Sequence, residues 1–254
     1  MPRTTPRLRL AGLAAMAGLA TSPTIGGDRP PAPARETPGL LATQVTLAID
    51  RGGERRQFRG TVLTIEGTAV AVLTAAHCLS AADQGGAILL LRDGVSVEGS
   101  VVAVARNPAY RPGRDRDRGR QIPGPDNAVA RLQFRPAGPD AEAAFRAIRP
   151  APALANTTYP GSAGQAVVVR VIDGHGVEHA FKAGNFSNPR WLEWGPAYKP
   201  IPGDSGGGVF VVRAGPDGQA VPHLIGVVVG HDDRGGGASL VARDMRWIAD
   251  ALPR

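Results

Sequence analysis

Short apolar runs, each cut off by Gly, Asp or Asn, recur along most of the chain and limit what it can fold into. Val45, Leu47 and Ile49 alternate with polar neighbours, and TVLTI at 61–65, VAVLT at 70–74, AILLL at 87–91 and VVAVA at 101–105 follow. A second set occupies 128–134, 166–172, 208–213, 223–229 and 238–242. Runs this short have the length of strands, and about ten of them at turn-punctuated spacing describe an all-β barrel or sandwich. The 34 glycines and 23 prolines supply the turns. Two segments depart from the pattern. AEAAFRAI at 141–148 reads as a short helical linker between two halves, and Met245, Ile248, Ala249 and Leu252 fall at the spacing of an amphipathic C-terminal α-helix.

The chain has 254 residues, enough for one large β domain or two small lobes, and 43% hydrophobic residues place it among globular proteins. Cys78 is the only cysteine, so an internal disulfide is excluded and stability must come from packing. The first 20 residues carry Arg3, Arg7 and Arg9 and then a weak apolar stretch from Leu10 to Leu19, which reads as a signal peptide and an exported, secreted or periplasmic protein. That stretch is too short to span a bilayer, so no membrane span is expected. Residues 21–39 hold Pro23, Pro30, Pro31, Pro33 and Pro38 and read as a Pro-rich leader or propeptide, with the folded domain covering 40–252. Without the three N-terminal arginines the formal net charge falls from +7 to +4, and much of the remainder sits in RPGRDRDRGR, Arg111 to Arg120. A solvated loop accounts for it. Aromatic residues are 5% of the chain, too few to interleave with a basic face, so no nucleic-acid partner is expected.

Three segments set a reactive residue among small, turn-forming or apolar neighbours: TAAHC with His77, GPDNAVARL with Asp126 and PGDSGGG with Ser205. A serine hydroxyl is a poor nucleophile unless a base accepts its proton and donors stabilise the oxyanion that forms. The glycines beside Ser205 suit the second requirement, because Gly203 can adopt a backbone conformation closed to other residues. Each segment alone has a plainer reading: a glycine-rich turn, a structural histidine, a strand-start aspartate. Together they supply nucleophile, base and orienting carboxylate, each at the edge of an apolar strand. DGHGVEH at 173–179 places His175 and His179 four apart, but Gly174 and Gly176 make it a hairpin turn, so no metal or other cofactor is expected there. HDDRGGG at 231–237 reads as a loop.

These three segments, in the order His, Asp, Ser, resemble the motifs of the chymotrypsin-fold, trypsin-like serine proteases. LIGVVVG at 224–230 is similar to the strand lining that family's substrate pocket, and RDMRWIADAL is similar to its closing helix. The resemblance implies two antiparallel six-stranded β-barrels, about 40–140 and 150–242, a terminal helix at 243–252 and an active site in the cleft between the barrels. It implies His77 as general base and acid, Asp126 as its orienting partner, Ser205 as nucleophile, and the N–H groups of Gly203 and Ser205 as the oxyanion hole. The substrate is then a protein or peptide. A catalytically silent binding protein on the same scaffold is the competing expectation.

The departures from that family matter equally. Cys78 and Ile201 stand where half-cystines are common. In the family, cleavage frees an N-terminal Ile or Val whose amine pairs with the aspartate before the serine, here Asp204. Thr24-Ile25-Gly26-Gly27 faintly echoes such a cut site but lacks a preceding basic residue; otherwise Asp204 is held by an internal partner. Lys199, one of two lysines, lies where the family commonly sets the charge of its primary pocket, with Val229 and His231 as further lining. A lysine there disfavours cleavage after Arg or Lys and suits Glu or Asp, unless Pro200 and Pro202 turn it to solvent.

Overall fold

The structure is a computed structural model, and it describes residue 37 and residues 39–111, 125–151, 166–184, 190–215, 217–232, 235–241 and 244–252. The signal-like segment, nearly all of the leader with its Ile25 echo, and most of the arginine-rich stretch lie outside the described residues.

β1 (Gln44–Arg51), β2 (Glu54–Glu66), β3 (Ala69–Thr74), β4 (Ala87–Arg92), β5 (Val95–Arg106) and β6 (Ala128–Phe134) form a closed antiparallel barrel in the order β1-β2-β3-β6-β5-β4. Its tight turns follow from sequence. Gly52-Gly53 (φ +59° and +83°) joins β1 to β2, and Asp93-Gly94 (φ +50° and +78°) joins β4 to β5. Positive φ at both central positions is the turn whose twist matches that of paired strands. The alternation of Val45, Leu47 and Ile49 sends these residues inward onto Phe58, Val72 and Leu132. The helical segment read from 141–148 is α1 (Pro139–Arg146), opened by a proline whose missing N–H has no partner to lose. It packs Ala141, Ala144 and Phe145 against the barrel, with the Phe145 ring 5.8 Å from that of Phe134.

The second unit is a six-stranded antiparallel sheet: β7 (Val167–Ile172), β8 (Glu178–Ala183), β9 (Trp191–Trp194), β10 (Gly208–Ala214), β11 (Ala220–Asp232) and β12 (Gly235–Leu240), ordered β8-β7-β10-β11-β12-β9. Its edge strands meet at a single bridge, Gly184 with Glu193, so closure is looser than the expected barrel. β8 and β9 lie outside the apolar runs, because EHAFKA and WLEW mix buried and half-buried residues. The run HDDRGGG is not a loop throughout: its glycines start β12. Gly236 and Gly237 lie flat on the rings of Trp194 and Trp191, where a Cβ would overlap the indoles, so glycine is what lets this strand pair.

A third apolar cluster, including Leu40, Leu73, Val129, Phe210, Leu224 and Val227, joins the two sheets. Its fully buried Leu and Phe side chains contribute about 1.5–3 kcal/mol each to holding the halves together. α2 (Met245–Ala251) closes it with Ile248, which is completely buried and flanked by Trp247, Ala251 and Leu252. Polar links cross the same seam: Gly208 N–H donates to Gln44 Oε1 at 2.8 Å and Asn127 Nδ2 to Asp244 Oδ2 at 2.8 Å. His77, Asp126 and Ser205 all lie on the short segments where β3, β6 and β10 reach this seam.

Candidate active site

β3 and β6 are neighbours, and their last rung pairs Thr74 with Ala128. The segment leaving β3 and the segment entering β6 therefore run side by side, and they carry His77 and Asp126. Asp126 is 2% exposed and accepts two bonds from one residue, His77 N–H at 3.0 Å on Oδ1 and His77 Nδ1 at 2.7 Å on Oδ2. A carboxylate accepts only, so Nδ1 carries the proton and Nε2 is left as the acceptor. The backbone N–H of Asp126 donates to Ser239 Oγ at 3.1 Å, which pins the carboxylate from the second sheet. Burial disfavours the His77 imidazolium. The Asp126 hydrogen bond and charge, with the Cys78 thiol adding to them, outweigh that and hold the ring's pKa above its ordinary value.

Ser205 enters this corner on a turn from the other sheet. Its carbonyl accepts Arg59 N–H at 2.8 Å and lies 3.8 Å from Cys78 Sγ, so the residue after His77 touches the residue proposed to react. Its hydroxyl donates to the Val229 carbonyl at 3.4 Å, a long bond, and among the described residues makes no bond to the His77 ring. Rotation about χ1 is the motion that would re-aim it. Gly206 explains how the turn can approach so closely. Its φ is +87°, and a Cβ there would overlap the Arg59 carbonyl oxygen and the Thr74 hydroxyl. Gly206→Ala is expected to destabilise the fold by about 2–5 kcal/mol, summing left-handed backbone strain and overpacking. Thermal unfolding checks this; an unchanged midpoint would show that the seam can open at no cost.

Cys78 is a buried free thiol in the first barrel's core. Cys78→Ala should lose about 1 kcal/mol of stability and keep activity within several-fold, and the native thiol should alkylate slowly. Rapid alkylation, or loss of activity in a folded Cys78→Ala protein, contradicts a packing role.

Asp204, 1% exposed, has its internal partners. Oδ1 accepts Gly174 N–H at 2.6 Å, and Oδ2 accepts the Tyr198 hydroxyl at 2.7 Å and Ile201 N–H at 2.9 Å. Burial and the Asp204 carboxylate push the Tyr198 phenol's pKa well up, so it stays protonated and donates. Arg59, 3% exposed, places a guanidinium in the field of Asp204, Tyr198 and Asp173 and donates through Nη1 to the Asp173 carbonyl. Sequence reasoning did not single out Tyr198, Arg59 or Ser239. The one available signal was an arginine two residues before the strand run TVLTI.

The pocket candidates separate. Lys199 is exposed, between buried Tyr198 and Pro200, as in the solvent-turned alternative rather than at the base of a closed pocket. The Val229 carbonyl faces Ser205 Oγ. The His231 backbone pairs with Gly236, and its side chain lies outside the described set. Gly203 has φ +105° and open space beside its Cα. β10 pairs with β11 only as far as Val227, with Val228 bonded to Gly206 and Gly207, so from Gly230 to Asp232 the β10-facing edge of β11 has no strand partner among the described residues. A cavity of about 360 Å³ lies elsewhere, lined by residues such as Gln44, Arg59, Arg92 and His175 and by none of His77, Asp126 or Ser205. His175 is exposed and His179 Nε2 bonds Asp173 Oδ2 at 2.7 Å; among the described residues no three metal-binding side chains gather.

The fold is thus all-β, two six-stranded antiparallel units and a C-terminal helix, as the resemblance to trypsin-like proteases implied. No family model and no curated protein matches the chain. Among solved structures it is similar to the protease Anisep from Arthrobacter nicotinovorans, with 14% identity, a TM-score of 0.48, and coverage of 78% of this chain and 90% of that one.

Proposed function

We propose that the chain is an exported serine endopeptidase of the chymotrypsin-fold class, acting through an acyl-enzyme intermediate. The observation that carries this reading is the buried Asp126 holding His77 by both N–H and Nδ1, with the Ser205 turn packed against the next residue. In the proposed cycle Ser205 Oγ bonds to the scissile carbonyl carbon while its proton passes to His77 Nε2. The carbonyl oxygen becomes an oxyanion, stabilised by the N–H groups of Gly203 and Ser205. Collapse breaks the C–N bond and His77 returns the proton to the amine. Water then attacks the ester, giving a proton to His77 as its oxygen joins the acyl carbon, and Ser205 regains that proton as it leaves. The edge of β11 after Val229, without a strand partner among the described residues, suits an extended peptide added as a strand. The chain's own residues suffice for these steps.

A fluorophosphonate probe tests the reading. Stoichiometric labelling that vanishes in Ser205→Ala supports it, and a folded protein that does not label supports the silent binding scaffold instead.

A further inference from the structure

The chain segment that supports the Ser205 turn from behind is DGHGVEH, which the catalytic reading leaves unused. Asp173 starts it and organises the hairpin, accepting His175 N–H at 2.8 Å and Val177 N–H at 2.9 Å on Oδ1 and the His179 ring at 2.7 Å on Oδ2. The hairpin so fixed presents Gly174 N–H to Asp204. The His179 ring also stacks on Tyr198, with centroids 4.7 Å apart, and Tyr198 packs on Phe181 at 5.4 Å while its carbonyl accepts Trp194 Nε1 at 2.7 Å. One hairpin thus sets both side-chain and main-chain donors to the carboxylate beside the nucleophile.

We propose that Tyr198 is a positioning residue for Ser205: with the N–H groups of Gly174 and Ile201, it holds Asp204 in place, so the Ser205 turn forms without a freed N-terminal amine. A buried carboxylate must be satisfied or it reorganises. Both Asp204 oxygens are engaged by neutral donors, and the buried Arg59 braces the hairpin that presents one of them by donating to the carbonyl of Asp173. Backbone bonds carry the constraint to the reacting residue: Asp204 N–H donates to Ile201 O, Gly207 N–H to Asp204 O, and Arg59 N–H to Ser205 O. Tyr198 acts on Ser205 through Asp204 and does not itself meet substrate.

The proposal rests on the protease reading, so its test pairs an activity readout with one that needs no activity. Tyr198→Phe keeps the ring stack and removes one hydroxyl. It is expected to lower the fluorophosphonate labelling rate and kcat by about 10- to 100-fold with KM within about threefold, and to lower the unfolding midpoint as well, because the buried carboxylate loses one of its donors. Amide hydrogen exchange across 200–207 should quicken in the same variant. Extending the mature N-terminus by a short Gly-Ser stretch should change neither labelling nor exchange. Wild-type labelling and exchange in Tyr198→Phe, or a tenfold loss on N-terminal extension, overturns the proposal. If the wild type does not label at all, the protease reading falls and exchange alone decides the positioning claim. Should Tyr198→Phe not fold, Asp204→Asn, which sets an amide donor against these donors, gives the same comparison.

Discussion

Ser205→Ala and His77→Ala are each expected to lower kcat by a similar factor, on the order of 10⁶, and the double variant to lose little more. The reason is that neither group has a task alone. The hydroxyl attacks only as its proton leaves, and Nε2 has nothing to accept without it. What survives either change is peptide binding and any stabilisation of the oxyanion. The cost to the fold should be small for Ser205→Ala, whose hydroxyl makes only a long bond to Val229, and larger for His77→Ala, which leaves Oδ2 of the buried Asp126 without its donor. Steady-state kinetics on the two single variants and the double, with unfolding midpoints as control, check the result. Additive losses would mean that the two residues work independently, and the proposed proton transfer between them would be wrong.

How much of this was legible in sequence depends on the range of the interaction. The first barrel was readable, because its strands alternate or run apolar and its turns carry Gly-Gly and Asp-Gly at positions that need positive φ. β8 and β9 were not, since their inward residues face aromatic neighbours across the sheet rather than forming an apolar run of their own. The glycines of β12 misled for a related reason. In isolation they predict a loop, and only the two tryptophans opposite make them a strand. The same holds at the site. His77, Asp126 and Ser205 stood out only as three short segments taken together and in order, whereas Tyr198, Arg59 and Gly174 draw notice only because the fold brings three separate segments near Asp204. Lys199 shows another limit: its place near the nucleophile left open a pocket charge or a side chain turned to solvent, and the side chain is exposed.

Asp126→Asn is expected to fold and to lose activity on the order of 10⁴-fold, by a different route. An asparagine can still accept His77 N–H through its oxygen, but its amide then donates to Nδ1, forcing the imidazole proton onto Nε2. The ring would face Ser205 as a donor and could not take its proton. The pH profile separates this from simple damage. Asp126 raises the His77 pKa against the opposing effect of burial, and the base must be neutral to act. Wild-type activity should therefore climb with pH along a limb displaced above the ordinary histidine value of about 6.5, and in Asp126→Asn that limb should move down. Stability follows the same sign. A raised folded pKa contributes stability that is fully present below the unfolded value and lost as pH rises through the folded one. The wild type should thus lose part of its advantage over Asp126→Asn on going from acidic to alkaline buffer, as read by thermal unfolding at several pH values. A pH–rate limb at the same position in both proteins would show that Asp126 does not set the charge state of His77.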